Sequence, residues 1–258
     1  MSWVALSLSF VLLVGFTAVQ RAARKCISVD ILLDENSGLF FVSKDDVTNK
    51  IRTVHESVVG MEVEKINIDA LEQAVKQLPE VDEVEVYTML DGKLSVNVTQ
   101  RRPIARVMPA RGSGYYIDDK GRYMPLSKNY SARVFVVSGE ITQRFRNISM
   151  NYLAENDSIK QLTLFDEIFE LADFIDKDPF WKAQIQHAYV NENKEFDLIP
   201  RIGNHNIELG NTTDLPKKFD KLMIFYKEGL PYSDWNRYSK ISLKFENQVV
   251  CTIKELPL

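Results

Sequence analysis

One short stretch constrains this chain more than any other, residues 78–107, LPEVDEVEVYTMLDGKLSVNVTQRRPIARV. Val81, Val84, Val86 and Thr88 form one β-rich run, and Leu94, Val96 and Val98 form a second. Asp91-Gly92 stands between them, a pair that tolerates the positive φ a tight hairpin turn demands. A helical pattern stops at Leu78-Pro79 just before the hairpin, and Arg101-Arg102-Pro103-Ile104-Ala105 leads directly out of it into another apolar run. A hairpin with folded material hard against both ends is a junction between units. The chain has 258 residues, 45% apolar and 26% charged, which is enough to bury two cores and is not the composition of a disordered segment.

From Met1 to Gln20 there is no charged side chain, and Trp3 to Val19 is almost wholly apolar. Twenty helical residues rise about 30 Å, the thickness of a bilayer's hydrocarbon core, so the stretch predicts one membrane span. The rival reading is a cleaved signal peptide, suggested by Ala18, Ala22 and Ala23, although the basic n-region of such a peptide is missing. Arg21, Arg24 and Lys25 follow the apolar stretch, and charge alone would keep that side in the cytoplasm. Arg24-Lys25 directly before Cys26 is not a lipoprotein signal. The domain organisation predicted is residues 1–25 as span and flank, 26–100 as a first domain and 101–258 as a second.

The net charge of −4 argues against nucleic acid as a partner, because phosphate binding needs clustered Lys and Arg. Cys26 and Cys251 are the two cysteines, too few for a disulfide framework or a thiolate metal site.

Ile27, Val29, Ile31 and Leu33 predict a half-buried strand, followed by a short extended piece at Leu39 to Val42. Ser43-Lys44-Asp45-Asp46 has the S-x-x-D form of a helix start, with Val47, Ile51 and Val54 at helical spacing. Asn67-Ile68-Asp69 opens a second helix carrying Leu71, Ala74, Val75 and Leu78, which Pro79 stops. With the hairpin, the first domain spells β-α-α-β-β.

A helix is expected from about Thr163 to Asp176, with Leu162, Phe165, Ile168, Phe169, Ala172 and Ile175 on one face. Ile185 to Val190, Phe196 to Ile202 and Ile207 to Leu209 read as strands. Asp214-Leu215-Pro216 starts a helix that ends at Gly229, and strands at Ser239 to Phe245 and Gln248 to Ile253 close the chain. The stretch from Arg144 to Ser158 fits no pattern. The fold class predicted is α+β, an N-terminal transmembrane helix and two domains, the second a mixed sheet covered by helices.

No motif carries chemistry. His55-Glu56 lacks the second His a zinc helix needs, and His187 and His205 are isolated. Gly112-Ser113-Gly114 is neither a phosphate loop nor a nucleophile elbow. Asp118-Asp119 and Asp166-Glu167 read as solvated charge rather than catalytic carboxylates. No catalytic, cofactor-binding or metal residue is nominated, and the chain is not expected to be an enzyme.

The last strand is the one candidate site. A chain that ends on a strand often leaves it at a sheet edge, whose backbone groups can accept another strand. Val249, Cys251 and Ile253 alternate with Val250 and Thr252, so one set faces the core and the other a partner or solvent. Val250→Pro is the substitution the sequence suggests for breaking such an edge.

The β-α-α-β-β order just after an apolar span resembles a POTRA domain. The continuation QRRPIARV (100–107), YYIDDKGRYMPLS (115–127) and VFVVSGEI (134–141) is similar to the bacterial FtsQ (DivIB) cell-division family, with Arg102, Pro103, Ala105, Tyr116, Asp118, Gly121, Pro125, Leu126 and Gly139 in the family's places. Gln100 stands where an acidic residue is usual. The resemblance implies a non-enzymatic, single-span protein of the bacterial inner membrane, its body in the periplasm at the division septum. It further implies that the POTRA-like domain contacts an earlier-arriving division protein, and that the terminal edge strand receives a segment of an FtsB-like protein coiled with an FtsL-like one. The family's aromatic-Asp-Ser turn and later aromatic align with Phe245, Glu246, Asn247 and Ile253, the last aromatic being absent here. The partner-binding set is then Phe245, Asn247, Val249, Val250, Cys251 and Ile253. The alternative is a POTRA-containing envelope assembly or secretion component, which would show repeated POTRA units or a barrel.

Overall fold

The computed structural model describes residues 24–34, 38–142, 163–230 and 236–254. The apolar stretch at 1–20, Leu162 and the unplaced 144–158 stretch lie outside these residues. Among the described residues, no helix is long and apolar enough to cross a membrane. The fold is mixed α+β, in two compact units: residues 1–101 with 127–131, and 102–126 with 132–258.

The first unit runs β1 (Ser28–Leu33), α1 (Lys44–Val54), a 3₁₀ turn, α2 (Ile68–Lys76), β2 (Val81–Thr88) and β3 (Lys93–Gln100), with sheet order β1-β3-β2. Its helix starts are those written in the sequence. Ser43 Oγ accepts from the Asp46 N–H at 3.2 Å while the Asp46 carboxylate accepts from the Ser43 N–H at 2.9 Å, a full capping box. Asn67 Oδ1 accepts from the Ala70 N–H at 3.0 Å. Each helix then turns one apolar stripe inward, Val47 and Ile51 from α1 and Leu71, Ala74 and Val75 from α2. Central β3, flanked by parallel β1 and antiparallel β2, buries Leu94, Val96 and Val98.

The hairpin is wider than the tight turn Asp91-Gly92 suggests. Four residues, Met89 to Gly92, connect the strands, and Gly92 supplies the left-handed conformation at φ +87°. Asp91 contributes a side-chain acceptor instead, for the Lys93 N–H at 3.1 Å. Leu39–Val42 is not a strand either. Gln100, buried at the end of β3, accepts from the Phe41 and Val42 N–H groups at 2.9 and 3.0 Å and donates to the Leu39 carbonyl at 2.9 Å. The backbone of this segment is satisfied by one amide side chain rather than by a sheet.

That donation needs the amide nitrogen of Gln100. Gln100→Glu keeps both acceptors but sets a carboxylate against the Leu39 carbonyl, and the unpaired contact costs about 2 kcal/mol. Two N–H groups still bond one oxygen, but burial and the Leu39 carbonyl facing the other, which only a protonated carboxyl can donate to, raise the folded pKa above its unfolded value. The variant's lost stability is therefore fully restored below that unfolded value, about 4.3, and is lost again as pH rises through the folded pKa. Urea midpoints measured against pH check both the loss and its sign.

Residues 127–131 interrupt the second unit's sequence and belong with the first. Tyr130 donates its hydroxyl to the Gly38 carbonyl at 3.1 Å and sets its ring edge-on to Phe41 at 4.8 Å between centroids.

The second unit is a nine-stranded mixed sheet, built from β4 (Pro103–Pro109), β5 (Tyr115–Asp118), β6 (Tyr123–Pro125), β7 (Phe135–Gly139), β8 (Ile185–Val190), β9 (Phe196–Pro200), β10 (Asn206–Gly210), β11 (Tyr238–Ser242) and β12 (Val250–Ile253). Across the sheet the order is β12-β11-β10-β9-β8-β7-β4-β5-β6, parallel at β10/β11, β4/β7 and β7/β8. Helices α3 (Leu164–Lys177), α4 (Pro179–Gln184) and α5 (Leu215–Ile224) supply the rest of its core. A Thr163–Asp166 capping box starts α3, and Phe165, Ile168, Leu171, Ala172 and Ile175 are buried along it. The sequence reading lacked α4, where Asp178 accepts from the Phe180 and Trp181 N–H groups at 2.8 and 3.1 Å, Pro179 fills the first turn, and buried Trp181 meets Phe219 of α5 at 4.9 Å between ring centroids.

The last strand is shorter than expected. Gln248 and Val249 precede it, and pairing with β11 begins at Val250 opposite Ser242. The expected alternation fails at its end, where Ile253 is 57% exposed although Val249 and Cys251 rest against the core. The cause is a register shift in β11 between Tyr238 and Lys240, directly opposite Ile253.

Candidate functional site

Of the carboxylates singled out in the sequence, Asp118, Asp119 and Asp166 have structural partners, and Asp118 is not the solvated charge expected. Asp118 is fully buried, accepting from the Lys120 and Arg122 N–H groups at 3.0 and 2.7 Å and from Arg122 Nε at 2.7 Å, which closes the turn after β5. Asp119 takes Arg102 Nε at 3.1 Å, and Arg102 also reaches Asp176 at 2.9 Å. Burial pushes the Asp176 carboxyl up, but its hydrogen bonds to Lys182 and Arg102 outweigh this and hold it below the ordinary carboxylate range. Asp166 serves the α3 cap. His187 Nε2 lies 2.7 Å from Ser138 Oγ, a tie between β7 and β8, and burial pushes its pKa down. His205 Nε2 meets the Tyr226 hydroxyl at 3.1 Å. No group of three or more His, Cys, Asp or Glu side chains able to hold a metal gathers among the described residues.

Strand edges are the remaining backbone resource, and two of them, β6 and β2, are guarded. β6 is three residues long and ends in Pro125, which has no N–H to offer. On β2 the Val86 N–H is already donated to Glu72 Oε1 at 2.8 Å, and Asp82, Glu83 and Glu85 crowd the same strand with charge. β12 stands at the far end of the large sheet, and among the described residues only β11 pairs with it.

Which groups of β12 face outward follows from two backbone hydrogen bonds, one just past the end of β11 and one just past the end of β12. The Leu243 N–H donates to the Glu208 carbonyl of β10 at 2.9 Å, so the Ser242 N–H points the other way, to β12, and the Ser242/Val250 pair is the hydrogen-bonded kind. The Lys254 N–H donates to the Arg237 carbonyl at 3.0 Å, which puts Thr252 on the inner side with Val250. Cys251 and Ile253 therefore turn their N–H and C=O groups to the free edge. Val250→Pro would detach β12 from β11 rather than silence that edge; the outward donor is Cys251.

The turn leading into β12 is fixed from α5. Lys221 donates to the carbonyls of Leu243 and Phe245, tying the 243–249 turn to the helix. Between them lies a groove of about 370 Å³ walled by Lys221, Ile224, Phe225 and Glu228 on one side and Asn247 and Val249 on the other. Phe245 and Val250, 48% and 40% exposed, stand beside it. Burial pushes the Cys251 thiol up, so it is a neutral, half-buried side chain beneath an exposed backbone. The six residues nominated from the sequence thus divide into a turn (Phe245, Asn247), a groove wall (Val249) and the strand (Val250, Cys251, Ile253). The helical wall escaped sequence reading because nothing in the spacing of Lys221, Ile224 and Phe225 shows that residues 247–249 fold against them.

The sequence model of the family described as FtsQ/DivIB, C-terminal related, matches residues 102–252, well over half of the chain. The chain belongs to the FtsQ/DivIB family. The model of the POTRA-like domain matches residues 24–99, the β-α-α-β-β unit. No curated protein matches the chain. Membership places the chain among the cell-division proteins, a family of non-catalytic scaffolds whose partners are other division proteins. The FtsQ/DivIB match begins at Arg102 and ends at Thr252 in β12, so it takes in Cys251 and stops one residue short of Ile253.

Proposed function

We propose that this FtsQ/DivIB-family protein is a single-span scaffold of the bacterial inner membrane, its body in the periplasm, that gathers FtsB-like and FtsL-like proteins at the septum. The β12 edge receives a short extended segment of the FtsB-like protein. Main-chain bonds to Cys251 and Ile253 hold the added strand, and the adjoining groove selects its side chains. The observation that carries this reading is the outward-facing backbone of Cys251 and Ile253 on a strand whose four residues include no charge or proline, beside an apolar-walled groove. The POTRA-like unit localises the protein through an earlier-arriving division protein. Depleting the protein from growing cells is expected to give filaments without septa that still contain segregated chromosomes; cells that divide normally under depletion would refute the reading.

A further inference from the structure

The tip of the β2–β3 hairpin is an exposed apolar point set among basic residues. Leu90 is 86% exposed and Ile27 59%, with Met89 and Tyr87 also open. The Ile27 N–H donates to the Gly92 carbonyl at 3.0 Å, and Arg24 Nη1 donates to the Leu90 carbonyl at 2.9 Å, so the first described residues and the hairpin tip form one surface. Gly92 permits that approach, since a side chain there would meet the Lys25 carbonyl at 3.0 Å. Arg24 is bonded to the apolar tip and Lys25 and Lys93 are its neighbours, while the acids beside them are paired, Asp91 with Lys93 at 3.2 Å and Glu62, opposite Lys25, with Lys65 at 3.0 Å. Such a cluster is unusual on a chain of net charge −4.

Chain connectivity says what this surface meets. Four Cα-to-Cα steps, across Arg21, Ala22 and Ala23, separate Gln20, the end of the uncharged stretch, from Arg24. Even fully extended they reach about 14 Å, and the headgroup layer outside the hydrocarbon core is itself about 5–8 Å deep on each side. If 1–20 spans the bilayer, Arg24 and the tip bonded to it stand at the lipid surface. We propose that the hairpin tip is a membrane-surface anchor, with Leu90, Met89 and Ile27 entering the headgroup layer and Arg24 and Lys25 on lipid phosphates. This rests on the span reading above. Apolar side chains lying beneath a basic fringe are the arrangement that binds an anionic interface. The anchor would fix the first unit's long axis, because Gln100 and the Leu39–Val42 segment occupy the other end of β3, eight residues away.

The full chain, reconstituted into vesicles of phosphatidylcholine and phosphatidylglycerol, tests this with photoreactive p-benzoylphenylalanine replacing Leu90 or, as the comparison, Phe40. Phe40 is equally apolar, 59% exposed, and sits at the opposite end of the unit. Lipid adducts detected by mass spectrometry are expected about tenfold more often at Leu90 than at Phe40. Equal, background labelling at both positions in a chain that resists alkaline carbonate extraction overturns the anchor while leaving the span intact. Release of the chain by carbonate overturns the span reading, and the anchor with it.

Discussion

Replacing Cys251 with proline is expected to weaken capture of the FtsB-like partner about tenfold or more while leaving the fold intact. Proline removes the one N–H that this residue offers, and that N–H faces the free edge rather than β11. An incoming strand loses a donor and is left with an unpaired carbonyl, a loss of about 1–3 kcal/mol, so affinity should fall about tenfold or more. Two companions separate this from trivial causes. Cys251→Ala removes the half-buried thiol but keeps the donor, and should bind close to the parent. Val250→Pro breaks the pairing with Ser242 and should lower the unfolding midpoint, because its N–H faces into the sheet. Titration calorimetry with the FtsB-like protein, alongside urea unfolding, reads all three. Edge geometry is refuted if the two prolines behave alike.

The second large effect is on folding. Gly139 ends β7, the strand between β4 and β8, at φ +114°. A Cβ there would lie 2.2 Å from the Val190 carbonyl oxygen and 2.9 Å from the Val190 nitrogen of β8. Strain and clash coincide, and β8 cannot retreat, because the Glu140 N–H is bonded to that same carbonyl at 2.9 Å and β9 closes its other side. Gly139→Ala should therefore cost more than about 4 kcal/mol and lower the second unit's thermal midpoint by about 10 °C or more. Gly112→Ala, at a position with open space around it, serves as the comparison for positive φ alone. Near-ultraviolet circular dichroism through a thermal scan measures the difference.

The local code of this chain is legible because its elements are locally determined. Ser43, Asn67 and Thr163 begin helices through bonds to residues three positions on, and those bonds need no knowledge of the rest of the molecule. Sheet membership was legible for the same reason, since apolar alternation marks β8 and β9 within two residues of their observed ends. What escaped depends on distant partners. Leu39–Val42 looks extended, yet Gln100, about sixty residues away, decides its hydrogen bonding. Residues 127–131 pack with the first unit although sequence order assigns them to the second. In the candidate site, alternation pointed to β12 but not to which backbone groups face outward. That depends on Leu243 meeting Glu208 and on the extra residue in β11 opposite Ile253.

Hydrogen exchange at single amides tests the central claim most directly. In the free protein the N–H groups of Cys251 and Ile253 should exchange fast and those of Val250 and Thr252 slowly, because the first pair faces the open edge and the second faces β11. On adding the FtsB-like partner, Cys251 and Ile253 should slow about tenfold or more while Val250 and Thr252 change little. Unchanged exchange at Cys251 and Ile253 in a saturated complex, with new protection elsewhere, would place the partner on a different surface.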